Sequence, residues 1–343
     1  MNHSLANYIK RFFSHYLPVQ KGLATNSIQA YRDAIKLLLC YAADTLVRSV
    51  DQLTVEDITE KVVLAFLDHV EDGRGCTAGT RNARLAAIRS LFAFIAREEP
   101  VLIPECQRIR AIPLKRTQHA TVEYLEEEEM QAMLDAVDIN SRTGIRDLAL
   151  LLLLYNTGAR VSEIVTLKIK DLRLAETGQV HLLGKGGKHR ACPLWPETVE
   201  ALQDYLGQRT PSTPELEQIF LNANSAPITR FGIRYVIRKY ATVAQQHCPT
   251  IKTKNVTPHT IRHTTAMHLL RSGNEINTIS YWLGHADINT THIYVEIDME
   301  MKRKMLEKAD APNINKEKLW RQPDILKWLN GITRRSELCE VNR

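Results

Sequence analysis

The sequence predicts a mainly α (α+β) protein of two domains, a small four-helix bundle followed by a larger, mostly helical domain with a small antiparallel β-sheet. Three observations predict it. Apolar residues recur at helical spacing in four stretches of the first hundred residues. Strand-like runs are short and flank one glycine-rich turn, Gly184-Lys185-Gly186-Gly187. The chain's 343 residues exceed one typical small domain, and 44% hydrophobic with 24% charged residues is the composition of an ordinary folded protein.

In order, Leu5 to Leu17 is helically periodic. A second helix starts near Thr25 or Ser27, both acceptable N-caps, and runs through Ile28, Tyr31, Ile35 and Leu38. Asp51 to Leu53 is a short connection, and Thr54-Val55-Glu56-Asp57 opens a third helix through Leu64 and Leu67. Gly73 and Gly75 break the chain. A fourth helix, Thr80 to Arg97, sets Leu85, Ile88, Leu91, Phe92 and Ile95 on one face. Residues 98–122, with Pro100, Pro104 and Pro113, read as a linker.

Glu126 to Glu129 then give the acidic start that suits a helix N-terminus. Asp147 to Thr157 is almost wholly apolar and predicts a buried central helix, interrupted by Gly158 and resumed from Val161 to Leu167. Gln179 to Leu183 and His189 to Leu194 form the hairpin around the glycine turn. Phe231 to Ala244 is helical, with Arg230, Arg234 and Arg238 spaced four apart on one stripe. Pro258 suits the first position of a helix running to Leu270, which Gly273 ends, and Ile276 to Leu283 is a last helix, ended by Gly284. Tyr281 on it reads as a half-buried core residue.

The longest apolar run has eight residues, too short to span a bilayer. The N-terminus has no apolar signal core, and the six cysteines are scattered with no CxxC pair. A cytoplasmic protein with free thiols and no membrane partner is expected. Net charge is only +6, but its distribution is uneven. No acid occurs from Gln218 to Asn274 or from Gly73 to Arg97, while both stretches are rich in arginine. Two uncompensated basic blocks point to two surfaces facing a polyanion.

Four pieces carry chemistry. They are Arg160 with Glu163 three residues on, Lys185 on the glycine turn, His259-Thr-Ile-Arg262, and Leu283-Gly284-His285 nine residues before Tyr294. Two arginines can clamp a phosphate and neutralise charge developing on it. Histidines move protons near neutral pH, a lysine can protonate a departing oxygen, and a tyrosine can be a nucleophile. Together they describe phosphoryl transfer through a phosphotyrosine, without metal or nucleotide cofactor. On one unbroken helix, His285 and Tyr294 would lie on opposite faces, so the chain must break between them, and Asp287 or Asn289 could cap the break. His259 and His263 mimic a metal pair, but no acid takes the place a metalloprotease base would need, and Arg262 would repel a cation. The glycine turn lacks the spacing of a nucleotide-binding loop.

The strings NTGARVSEIVTLKIKDL, GKGGKHRACPL, TPHTIRHTTAMHLLRSG and ISYWLGHADINTTHIYV closely resemble the tyrosine recombinase, or phage integrase, family. The resemblance covers residues 120–300 as a catalytic domain and, more loosely, 1–110 as the family's SAM-like core-binding bundle. It implies a recombinase for integration, excision or transposition of DNA, with residues 1–112 as a DNA clamp, 113–310 as catalytic domain and 311–343 as a tail. It implies that Tyr294 attacks the DNA phosphate and that Arg160 and Arg262 clamp it. Lys185 protonates the leaving oxygen, with Lys188 as runner-up. His259 transfers a proton or contacts the phosphate, His285 donates a hydrogen bond to it, and Glu163 and His263 support the site. Asn26, Ser27, Arg32, Arg81 and Arg84 from the bundle, and Lys188, Arg230, Arg234 and Arg238 from the second domain, are candidate DNA contacts. The implied partner is double-stranded DNA with an inverted-repeat core site, bound by a tetramer on two sites, of one chain or mixed with related recombinases. The apolar tail segment 313–332 is expected to dock on a neighbouring subunit, the alternative being that it packs on its own domain. A type IB topoisomerase, or a silent DNA-binding regulator on this fold, would share parts of the pattern.

Overall fold

The computed structural model describes residues 4–117, 122–175, 178–184, 187–213 and 215–284. The chain divides into two compact units, residues 1–120 and 121–343. Helices dominate both, and no described helix is long and apolar enough to cross a membrane.

The first unit is a helical bundle. Helix α1, Leu5–Arg11, passes into wider π-helical turns over Phe12–Gln20 that carry Pro18. Helices α2 (Thr25–Leu46), α3 (Glu60–Asp68) and α4 (Ala78–Glu98) follow. Thr59 and Thr77 cap α3 and α4 by accepting the Val62 and Thr80 N–H groups. Phe12, Ile35, Leu38, Phe66, Leu85 and Phe92 fill the core.

Three features differ from expectation. The N-cap of α2 is Ala24, which has no capping side chain, rather than Thr25 or Ser27. Thr54 to Asp57 is a turn, closed by the Asp57 carboxylate accepting both the N–H and the hydroxyl of Thr54, and α3 begins only at Glu60. The stretch read as a linker holds a further helix, α5, Ile103–Ala111. Its Pro104 lies in the first turn, where a missing N–H is harmless, and Cys106, Ile109 and Ile112 bury into the bundle.

The second unit begins with α6 (Glu127–Asp135), α7 (Arg142–Thr157) and the short α8 (Val161–Thr166). An antiparallel sheet follows, ordered β1 (Leu172–Arg173), β2 (Gln179–Leu183), β3 (His189–Pro193). The predicted hairpin is β2–β3, registered from Gln179 opposite Pro193 to Leu183 opposite His189. The two-residue β1 is too short to signal itself in sequence. Helices α9 (Pro196–Gln208), α10 (Arg230–Ala244), α11 (Pro258–Arg271) and α12 (Ile276–Leu283) complete the described unit. The core gathers around α7, whose Leu150, Leu151, Leu153 and Leu154 are buried.

Helix α11 is buried almost all round, with ten of its fourteen residues inside. Thr257 and Thr260 cap its start reciprocally. Farther along, Thr264 Oγ1 accepts the Leu125 N–H at 2.8 Å. His268 sits between the Leu125 carbonyl, 3.0 Å from Nε2, and the Tyr155 hydroxyl, 2.7 Å from Nδ1. The carbonyl can only accept, so Nε2 carries the proton and Nδ1 accepts from Tyr155. At its last turn Arg271 donates to Glu126 and to the Tyr124 hydroxyl.

Candidate active site

The site is assembled where α7, α11 and α12 end or begin. Gly158 terminates α7 in the left-handed conformation, φ +57°. A Cβ there would lie 2.5 Å from Leu283 Cδ2, so only glycine lets α12 pack against this turn. Ala159 and Arg160 follow at once, and Arg160 is the N-cap of α8.

Arg160 and Glu163 are locked to each other. The Arg160 backbone N–H donates to Glu163 Oε2 at 2.9 Å, and its Nη1 donates to Oε1 at 3.1 Å. Arg160 Nη2 reaches the Gly284 carbonyl at 3.3 Å. Arg190, on β3, meets the same carboxylate with two parallel bonds, 3.0 Å to Oε1 and 2.7 Å to Oε2. Burial opposes a charge on Glu163, but the hydrogen bonds and charge of Arg190, joined by those of Arg160, hold its carboxyl below the usual range.

Arg262 is buried on α11. Its Nη1 donates to the Gly158 carbonyl at 2.6 Å and its Nη2 to the Leu283 carbonyl at 2.7 Å. Two helix C-termini, each carrying partial negative charge, thus anchor this one guanidinium. His259, three residues earlier and near the start of α11, is exposed. Partial desolvation, then the charges of Arg262, Arg160 and Arg234, lower its pKa and keep it neutral at pH 7. His263, partly buried, is pushed down to about 4 by desolvation and by His259 and Arg262.

The structure therefore brings Arg160, Glu163, His259 and Arg262 to one place, at the residue preceding His285. Lys185, His285 and Tyr294 lie outside the described residues, as do Asp287, Asn289 and the tail. Lys188 is exposed at the foot of the hairpin, where its carbonyl accepts the Gly184 N–H at 2.7 Å. Among the described residues, no group of three His, Cys, Asp or Glu side chains is placed to hold a metal ion. The residue the sequence did not single out is Arg190. It stood in the quoted hairpin string, but nothing local marks its partner.

The basic blocks fare differently. Arg230, Arg234 and Arg238 are exposed along α10, with Phe231 79% and Tyr235 69% exposed among them. In the bundle, Asn26 and Arg32 are exposed, Arg32 pairing with Asp33, while Ser27 is half-buried. Arg84 is half-buried with Nη1 3.5 Å from the Cys76 sulfur. Arg81 corrects the expectation of a surface contact. It is only 4% exposed, facing Glu71 at 3.7 Å and the Pro113 carbonyl at 3.5 Å. Tyr281 is also not the core residue expected, being 83% exposed, because α12 buries Ile279, Ser280 and Leu283 instead.

Residues 123–301 match the phage integrase family, and residues 9–99 match the phage integrase N-terminal SAM-like domain. The chain belongs to the phage integrase family. As a tyrosine recombinase it is a site-specific enzyme that cleaves and rejoins DNA strands. It is 35% identical over 330 residues to y4rC of Sinorhizobium fredii, named as an integrase/recombinase, covering 96% of this chain and 98% of that one. It is 31% identical over 308 residues to the tyrosine recombinase XerD of Staphylococcus epidermidis, covering 87% and 97%. Its fold resembles the XerH site-specific recombinase bound to a palindromic difH substrate, with TM-score 0.66 and 22% identity over 82% of this chain and 79% of that one. It also resembles the Tn1549 transposon integrase in complex with a circular intermediate DNA, with TM-score 0.66 and 16% identity over 90% of this chain and 100% of that one.

Proposed function

We propose that Tyr294 is the nucleophile of this recombinase and that Arg160 and Arg262 bind the scissile phosphate. The Tyr294 oxygen attacks phosphorus, a 3′-phosphotyrosyl bond forms, and the bond to the 5′-oxygen breaks. Lys185, or Lys188 in its place, gives that oxygen its proton. A 5′-hydroxyl from the paired duplex then attacks the phosphotyrosine and releases Tyr294. The phosphotyrosine conserves the energy of the broken bond, so the cycle needs neither metal nor ATP. His259, neutral at pH 7, is fit to accept the tyrosyl proton or to contact the phosphate. His285 donates to the phosphate, and Glu163 and His263 hold the arginines and His259 in place.

The observation that carries this is the meeting of Arg160 and Arg262, distant in sequence, on consecutive carbonyls of one turn, Gly284 and Leu283. That turn leads directly into His285. Both guanidiniums are thereby ordered before any phosphate arrives, which is how positioning and charge lower a phosphoryl-transfer barrier.

Residues 1–112 serve as the core-binding domain and 113–310 as the catalytic domain. The substrate is duplex DNA with an inverted-repeat core, like the palindromic difH bound by XerH. Arg230, Arg234 and Arg238, interleaved with exposed Phe231 and Tyr235, give α10 the cations and apolar surface suited to a DNA groove. Asn26, Ser27, Arg32 and Arg84 contribute from the bundle. Two sites are paired by four copies, or by this chain with a related recombinase, and the tail 311–343 links neighbours. The Tn1549 likeness favours integration, excision or transposition of a mobile element. A DNA substrate supports a cytoplasmic location.

The test is to express wild type, Tyr294→Phe and Tyr281→Phe in cells, denature at once, and sequence DNA still attached to protein. Attached ends at a few discrete loci are expected for wild type and Tyr281→Phe, and none for Tyr294→Phe. Adducts in Tyr294→Phe would overturn the nucleophile. Ends scattered over the genome would point to a topoisomerase.

A further inference from the structure

We propose that Arg190 is a positioning residue for strand cleavage: it fixes the Glu163 carboxylate and, through it, the Arg160 guanidinium. The role rests on Arg160 binding the scissile phosphate as proposed above.

Arg190 and Glu163 form a two-bond fork, with side chains only 10% and 2% exposed. Both carboxylate oxygens are at the same time used by Arg160, one by its side chain and one by its backbone N–H. Glu163 therefore cannot turn without breaking bonds to both arginines. Arg190 also lies against Gly284, so closely that a Cβ there would sit 3.1 Å from its Nη1. Gly284 is the residue whose carbonyl accepts from Arg160 Nη2. Arg190 thus touches both groups that hold Arg160.

Charge gives the second argument. Arg160 and Glu163 alone would be a neutral pair, and a guanidinium spent on a buried carboxylate attracts a phosphate weakly. With Arg190 the trio carries one net positive charge. Arg190 answers the carboxylate on its outer side and leaves the field of Arg160 available to an anion. A buried ion pair is poor evidence of added stability, since apolar residues of similar volume often do as well. Its use here is geometric, because the planar fork admits one orientation.

The test uses the full-length chain as wild type, Arg190→Met, Arg190→Lys and Arg160→Ala. Each is mixed with a nicked duplex carrying a locus recovered by adduct sequencing. Single-turnover formation of the covalent adduct is followed from pH 5 to 9, beside non-covalent binding and thermal melting. Arg190→Met is expected to bind DNA within about threefold of wild type yet to form adduct about a hundredfold more slowly, the scale of one misplaced charge-stabilising group. Its rate should fall further on the acidic side, because Glu163 loses the partner that keeps it ionised. Arg190→Lys restores the charge without the fork and should recover part of the rate, including part of the extra loss on the acidic side. Adduct formation by Arg190→Met at the wild-type rate, or loss without any recovery by Arg190→Lys, would overturn the proposal. If Arg190→Met does not fold, Arg190→Lys decides alone: a rate about tenfold below wild type with unchanged binding supports the role, and a wild-type rate ends it. A wild-type rate in Arg160→Ala would instead strike the phosphate-binding role of Arg160, and with it the basis of this one.

Discussion

Gly284 and Arg190 are packed so closely that a Cβ on the glycine would stand 3.1 Å from Nη1 and 3.2 Å from Cδ, and the arginine would have to give by a few tenths of an ångström. The backbone there is left-handed, φ +65°. Gly284→Ala should lower stability by about 1–2 kcal/mol from the backbone alone. By displacing Arg190 it should slow adduct formation more than it weakens DNA binding. Denaturant midpoints beside a single-turnover cleavage assay check this, and equal losses in both would contradict it.

Arg262→Ala removes one guanidinium from two buried carbonyls. Cleavage should slow by about 10²–10³-fold or more, the scale of one lost charge-stabilising donor. Stability should also drop by about 1–3 kcal/mol for each carbonyl left unpaired. Arg262→Lys keeps the charge but not the two-pronged reach, and its rate should fall between the two. Single-turnover kinetics with urea unfolding separates the chemical loss from the structural one.

The salt dependence of DNA binding should distinguish Arg234 from Arg81. Replacing exposed Arg234 with Ala should reduce the slope of log K against log salt by about 1, one phosphate contact. Arg81→Ala should leave the slope unchanged and lower the melting temperature instead, because Arg81 is buried against Glu71. Binding titrations at four or five salt concentrations suffice, and a changed slope in Arg81→Ala would be incompatible with its buried position.

Acid should destabilise the second unit from neutrality downward. In the unfolded chain His263 takes up a proton near pH 6.5, but in the folded protein only near pH 4. Between those values the unfolded chain binds more protons, so stability falls as pH drops through this window and is fully present above it. His263 alone accounts for up to about 3 kcal/mol. His259 and His268 shift in the same direction. Unfolding midpoints from pH 7.5 to 4.5 should show the slope, and His263→Gln should flatten it. An unchanged slope in that variant would refute the assignment.

Much of the architecture was readable because it is local. Periodic apolar residues marked the helices, and a glycine turn marked the hairpin. Gly158 and Gly284 marked helix ends. Glu163 could be tied to Arg160 because it lies one turn after it and the family resemblance gave it a supporting role. Arg190 could not be tied to Glu163, since the two are joined only when β3 folds against α8. Arg81 looked like a surface cation because its acid, Glu71, precedes the helix that carries it and adds nothing to that helix's own charge. The prolines of residues 98–122 suggested a linker, yet Pro104 opens a helix instead of preventing one. Tyr281 shows the same limit, since which side of α12 turns inward is decided by its neighbours.

Helix α11 carries His259 and Arg262 near one end and is fastened at the other by His268 and Arg271. A helix enclosed in this way has no local route to open, and its backbone amides should exchange with deuterium only when the whole second unit unfolds. That slow exchange is a built-in gauge of the scaffold. A variant that has lost strand cleavage but keeps the protection of Thr264 to Leu270 has lost chemistry, not shape.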